Sequence, residues 1–139
     1  MVVDTNAWLS AFLNPDSQVG RRLLRLRLSS RFLLVFSREL QDEIVRVLTT
    51  KPYFTARIST ANLGRIRRRV ARFAPVVAVQ SVVNVCRDPH DNFLLALCQD
   101  AAADFLISGD KDLLVLGSFG PTRILTWAEA AQLFGLDEM

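Results

Sequence analysis

The sequence predicts an α/β domain built in layers around a mainly parallel sheet. Three observations predict it. Short apolar runs rich in Val, Ile and Phe alternate with longer segments of helical periodicity. The breaks between them fall at Pro, Gly and helix-capping residues, with no repeat, linker or low-complexity tract. The stretch from Cys86 to Leu116 reads as helix, strand, then a strand end carrying Ser108-Gly109-Asp110-Lys111-Asp112. Carboxyl ends of strands are where open α/β sheets hold ligands. Two carboxylates around a Gly turn there point to chemistry rather than to stability.

Val2-Val3-Asp4 is a minimal first strand, followed by Thr5 to Leu13 with apolar residues at helical spacing and a stop at Asn14-Pro15. Thr5 or Asn6 is the expected cap. Asp4 then stands at a strand end, or serves only as an acid favoured by the helix dipole. Gln18 to Leu28 mixes Leu and Arg as a second helix, and Arg31 to Phe36 reads as a strand buried on both faces. Ser37 caps a helix to about Thr50, with Leu40, Ile44, Val47 and Leu48 inward. Glu43 sits at the edge of that face, where a carboxylate needs a partner or a metal.

Tyr53 to Phe73 reads as one or two helices with Leu63, Ile66, Val70 and Phe73 inward and Pro75 as the stop. Val76 to Val79 and Val82 to Val85 suggest one strand or two pieces. Asp88-Pro89 begins the next helix as N-cap and first helical residue, and Asp104 to Ser108 follows as a buried strand. Asp112 to Leu116 is one helical turn and Arg123 to Thr126 a last strand. Thr126 with Glu129 forms a capping box for a final helix ending at Gly135.

The totals agree with one domain over residues 1–139 and a proper core. Half the residues are hydrophobic and 22% are charged, which argues against disorder. No apolar run approaches the roughly 20 residues of a membrane span, and no signal-peptide pattern opens the chain, so a cytoplasmic location is expected. Cys86 and Cys98 read as free buried thiols. With His90 as the only histidine there is no zinc-type cluster.

Charge is uneven. The net charge is +3, yet Ile44 to Arg87 holds nine basic residues and none of the 14 acids. A basic surface beside clustered acids suits a polyanion meeting a metal, with a solvated basic face as the plain alternative. Asp4, Glu43, Asp91, Asp110 and Asp112 are the acids placed to converge. Crowded carboxylates repel and hold protons unless a cation neutralises them. Oxygen-only ligands suit Mg²⁺ or Mn²⁺ and hydrolysis of a phosphodiester by metal-activated water. No Ser-His or Cys-His pair supports a covalent route, and no nucleotide-binding Gly motif occurs.

Four motifs occur in order: Val2-Val3-Asp4-Thr5-Asn6, Ser37-Arg-Glu-Leu-Gln-Asp-Glu43-Ile44, Arg87-Asp88-Pro-His-Asp91-Asn92 and Ser108-Gly-Asp110-Lys-Asp112-Leu113. Together they resemble the PIN-domain family, specifically its branch of toxins from type II toxin–antitoxin pairs, across essentially the whole chain. The resemblance implies a three-layer α/β/α sandwich and a Mg²⁺- or Mn²⁺-dependent endoribonuclease. By motif, the metal-binding acids are Asp4, Glu43, Asp91 and Asp110, with Asp4, Asp91 and Asp110 the direct metal set and Asp112 assisting. Thr5, Asn6 and Ser108 are the supporting polar residues. The resemblance also implies an RNA substrate, a homodimer and a cognate antitoxin protein.

Arg65, Arg67, Arg68, Arg69 and Arg72 are candidates for the RNA backbone or the antitoxin. Asp88 is ambiguous: its N-cap position explains it fully, yet which of Asp88 and Asp91 is the ligand, if only one is used, stays open; His90 reads as structural or substrate-facing. Trp8 and Trp127 read as core or dimer contacts. The alternative to an enzyme is a catalytically silent nucleic-acid or protein-binding module on the same fold. A receiver-like signalling domain fits poorly, because a single Asp4 ends the first strand and no acid lies between Glu43 and Asp88.

Overall fold

The sheet grows outward from the chain's first residues. In the computed structural model, which describes residues 1–56 and 58–138, β1 (Val2–Val3) pairs in parallel with β2 (Phe105–Ile107), and β2 pairs in parallel with β4 (Thr122–Leu125). Antiparallel β3 (Ser118–Phe119) closes that edge on β4. Beyond β1 the sheet continues without regular strands. The Met1 ammonium donates to the Leu33 carbonyl at 2.9 Å, and the Val35 N–H donates to the Met1 carbonyl at 3.2 Å. A parallel bridge joins Phe36 to Val76.

The helices are α1 (Thr5–Leu13), α2 (Gln18–Leu28), α3 (Arg38–Thr50), α4 (Pro52–Thr55), α5 (Thr60–Arg72), α6 (Asn92–Ala101), α7 (Lys111–Leu114) and α8 (Trp127–Phe134), with a 3-10 turn at Pro89–Asp91. Consecutive residues Val2-Val3 and Leu106-Ile107 are fully buried, so both faces of the sheet are covered. The fold is mixed α/β around a mainly parallel sheet, as in a PIN-like α/β/α sandwich.

Several helix starts are set by one residue each. Ser37 accepts from the Leu40 N–H, and Thr126 and Glu129 exchange both capping-box bonds at 3.1 Å. The cap of α1 is Asp4, not Thr5 or Asn6; its Oδ1 accepts from the Ala7 N–H at 3.1 Å. An Asp at a strand end does both jobs, so the cap lies one or two residues earlier than the sequence suggests.

Two expected strands are reduced. Over Arg31 to Phe36 only the Phe36 bridge remains, and Leu33 is 64% exposed, so the segment is not buried on both faces. Val76 to Val79 keeps only the bridge at Val76, and Val82 to Val85 forms no strand; Val82 is 87% exposed. N–H groups in and beside it are satisfied on side chains instead. Val85 and Cys86 donate to Asn92 Oδ1, while Gln80 and Ser81 donate to the Asp100 carboxylate. β-Propensity needs a pairing strand to act on, and none is there among the described residues. Arg57, one of the nine basic residues of the charged window, lies outside the described residues.

The packing that matters for the site is beneath α1. Trp8 is fully buried, its indole N–H donates to the Val3 carbonyl at 3.0 Å, and its ring meets Phe12, Phe36 and Phe73. This ties α1 to β1 and fixes Asp4 between them. Gly20 in α2 packs closely on the preceding loop, since an added Cβ would lie 2.6 Å from the Pro15 carbonyl oxygen. Gly20→Ala is therefore expected to cost about 1–3 kcal/mol in urea unfolding, with the slope of the transition unchanged.

Candidate functional site

The carboxyl edge of the sheet gathers the acids. Asp4 ends β1, Ser108 and Asp110 follow β2, and Asp88 and Asp91 bracket the 3-10 turn that leads into α6. Asp4 is buried and firmly held. Its Oδ2 accepts from Ser108 Oγ at 2.8 Å and from the Gly109 N–H at 3.3 Å. Burial pushes its carboxyl above the ordinary range; those hydrogen bonds oppose the rise and the nearby Asp110 adds to it. Ser108 Oγ also accepts from the Asp110 N–H at 2.9 Å, and Asp110 Oδ1 caps α7 through the Asp112 N–H. One serine thus orders two acids.

Asp91 is the strained member. Desolvation, then the adjacent Asp110 carboxyl and the charge of Asp88, push it up to about 7. Its Oδ2 is buried and, among the described residues, has no hydrogen-bond partner. A buried carboxylate oxygen without a donor is costly unless a cation reaches it. Single oxygens of Asp88, Asp91 and Asp112 also lie within 4.8 Å of one another. Asp88 meanwhile accepts from the His90 N–H at 3.0 Å, and Asp112 pairs with Arg87 at 3.0 Å. The donor set is hard oxygen throughout and contains an orphaned acceptor, which fits a divalent cation such as Mg²⁺ or Mn²⁺.

Glu43 stands across the cleft with partners of its own. Arg46 grips it through two hydrogen bonds of 2.8 and 3.1 Å, and His90 Nε2 lies 3.2 Å from Oε1. Burial would raise its carboxyl, but the bonds from Arg46 and His90 outweigh that and hold it below the ordinary value. These residues line a cleft of about 460 Å³ together with Thr5, Asn6, Lys51, Asp88, Asp91 and Asp110. The side chains of Thr5 and Asn6 hydrogen-bond to no carboxylate among the described residues, and Ser108 alone of the three supporting residues does so.

The family model of the PIN domain matches residues 1–112. The chain belongs to the PIN-domain family. It is also 31% identical over 120 residues to an uncharacterized protein of Methanocaldococcus jannaschii, covering 84% of this chain and 74% of that one. No solved structure matches it. PIN domains are generally nucleases and typically use divalent metals. In this PIN domain the acids form a chain from Asp4 through Asp110 to Asp91, Asp88 and Asp112, with Glu43 on the facing wall.

Some functional candidates are not singled out by sequence reasoning. Arg46 is signalled by its three-residue spacing from Glu43, and Arg87 by standing just before Asp88. Asp88 belongs to the acid group as well as to its cap. No helix among the described residues is long and apolar enough to cross a membrane.

Proposed function

We propose that this PIN domain is an endoribonuclease that hydrolyses RNA phosphodiester bonds with Mg²⁺ or Mn²⁺. We further propose that it acts in the cytoplasm as the homodimeric toxin of a toxin–antitoxin pair. One observation carries the hydrolytic reading: the buried, unpartnered Asp91 Oδ2 beside Asp110. Asp91, Asp110 and Asp4, with Asp88 and Asp112 alongside, would hold the cation. When bound, it supplies Lewis-acid polarisation of the phosphate and an acidified water for in-line attack.

The chain's own residues do the rest. Ser108 and the Ala7 and Gly109 N–H groups fix the orientation of Asp4. Asp110 keeps its own place by capping α7. Glu43 holds Arg46 against the cleft wall, so that Arg46 and Lys51 bring positive charge to a phosphate entering beside the acids.

RNA as the substrate class is supported by a second cleft of about 480 Å³ lined by Arg27, Arg65, Arg68, Arg69, Arg72 and Phe73. Arg27 stacks 4.2 Å from the centre of the Phe73 ring. No carboxylate lies within 4.0 Å of any of these arginines among the described residues. Arg67 is exposed on the same helix. The toxin role is supported by the resemblance of the four ordered motifs.

The test is cleavage of single-stranded RNA with and without Mn²⁺, wild type against Asp110→Asn. RNA binding with no metal-dependent turnover would instead establish the silent module. In the binding arm, neutralising Arg65, Arg68, Arg69 and Arg72 is expected to flatten the dependence of log K on log salt by about 0.7 per lost phosphate contact. An unchanged slope would return these arginines to a merely solvated face.

A further inference from the structure

The acid cleft has a neighbour on the other side of Asp110. A cavity of about 300 Å³ is lined by Asp4, Asn6, Ala7, Ser10, Val19, Gly109, Asp110 and Trp127. Asn6 and Asp110 border both cavities, so the two meet at the carboxylate edge. Trp127 and Trp8 differ sharply in how they are used. Trp8 is sealed in the core with its indole N–H bonded and its ring against three phenylalanines. Trp127 is half-buried, and among the described residues its ring meets no other aromatic and its indole N–H has no hydrogen-bond partner.

The cavity lining therefore combines apolar Trp127, Val19 and Ala7 with polar Asn6 and Ser10. Both of those polar side chains are exposed and without a hydrogen bond among the described residues. An indole ring sharing one cavity with free amide and hydroxyl groups suits a flat heterocycle with hydrogen-bonding edges. We infer that Trp127 is a substrate-binding residue: it stacks a nucleobase of the RNA strand next to the phosphate that a cation at Asp110 would hold. This rests on the nuclease reading of the acid site. On this reading the Arg46–Lys51 cleft and the Trp127 cavity, which share Asn6 and Asp110, receive the strand on the two sides of the scissile phosphate.

The experiment uses a non-cleavable single-stranded RNA analogue, intact and with one abasic position at a time. Binding to wild type, Trp127→Ala and Trp127→Phe is measured, with thermal melts as the fold control. Wild type is expected to lose about tenfold in affinity at one abasic position, within the range of base–aromatic stacking. Trp127→Ala is expected to show no such penalty there, and Trp127→Phe to keep most of it. Tryptophan fluorescence should be quenched by intact RNA in wild type and not in Trp127→Phe.

An abasic penalty of the same size in Trp127→Ala, or none at any position in wild type, overturns the assignment while metal-dependent cleavage still supports the site. A wild-type protein that neither binds nor cleaves RNA overturns both.

Discussion

Asp110→Asn is expected to lower metal-dependent RNA cleavage by about 10³-fold or more while leaving the protein folded. The first half follows from position. Asp110 lies between Asp4 and Asp91, raises the carboxyl pKa of both, and borders both cavities at the sheet edge. Removing its charge removes the central attraction for the cation, and Lewis-acid stabilisation of several kcal/mol corresponds to about three decades in rate. The second half follows from capping. Asp110 Oδ1 accepts from the Asp112 N–H, and Asn serves an N-cap about as well as Asp.

Single-turnover cleavage with a thermal melt of each protein makes the measurement. Full activity in the folded variant, with contaminating nucleases excluded, would remove Asp110 from the site. Asp4→Asn is a harsher change, because Asp4 Oδ2 accepts from both Ser108 and Gly109 and an amide nitrogen in that place would face two donors. Asp110→Asn is therefore the cleaner of the two.

The parts of this molecule that are legible in sequence are the local ones. Ser37, Asp88-Pro89 and the Thr126–Glu129 box announce their helices because a cap is decided within four residues. The acids are legible as types in order, since each stands at a recognisable strand or helix boundary. What is not legible depends on distant partners. Val82 to Val85 has strand composition but no neighbour to pair with, and Leu33 belongs to a segment at the margin of the sheet. The β3–β4 hairpin turns on Gly120 at φ 54°, a signal present in Phe119-Gly120-Pro121 but too short to prescribe pairing.

The same division runs through the site. Asp88 looks like a cap and is one, yet the turn that it caps also brings it beside Asp91 and Asp112. Nor does spacing reveal that His90, 47 residues from Glu43, closes on its carboxylate. Trp127 is the clearest instance. Its place as first residue of α8 follows from the capping box, whereas its share in a cavity with Asp4 depends on how β4 lies against β2.

Asp91→Asn should make the metal-free protein more stable at pH 7.5, not less, while removing its response to Mn²⁺. Desolvation and Asp110 raise the Asp91 carboxyl from its ordinary 3.8 to about 7 in the folded chain. Below about pH 4 it is protonated in both folded and unfolded states, and nothing is lost. Between about pH 4 and 7 the unfolded chain releases a proton that the folded one retains, so stability falls as pH rises; above 7 the loss is complete.

Solvent around the half-exposed group limits that loss to about 1–2 kcal/mol. Asn carries no such penalty, so the variant should melt about 3–7 °C higher than metal-free wild type at pH 7.5 and equal to it near pH 4. Mn²⁺ should raise the wild-type melting temperature at pH 7.5 by binding the folded state alone, and leave the variant nearly unmoved. Melts of both proteins from pH 4 to 8, with Mn²⁺ and with chelator, separate the possibilities. A variant less stable than wild type at pH 7.5 would mean that Asp91 is a structural acid satisfied by the fold, and the buried oxygen without a partner would no longer argue for a cation.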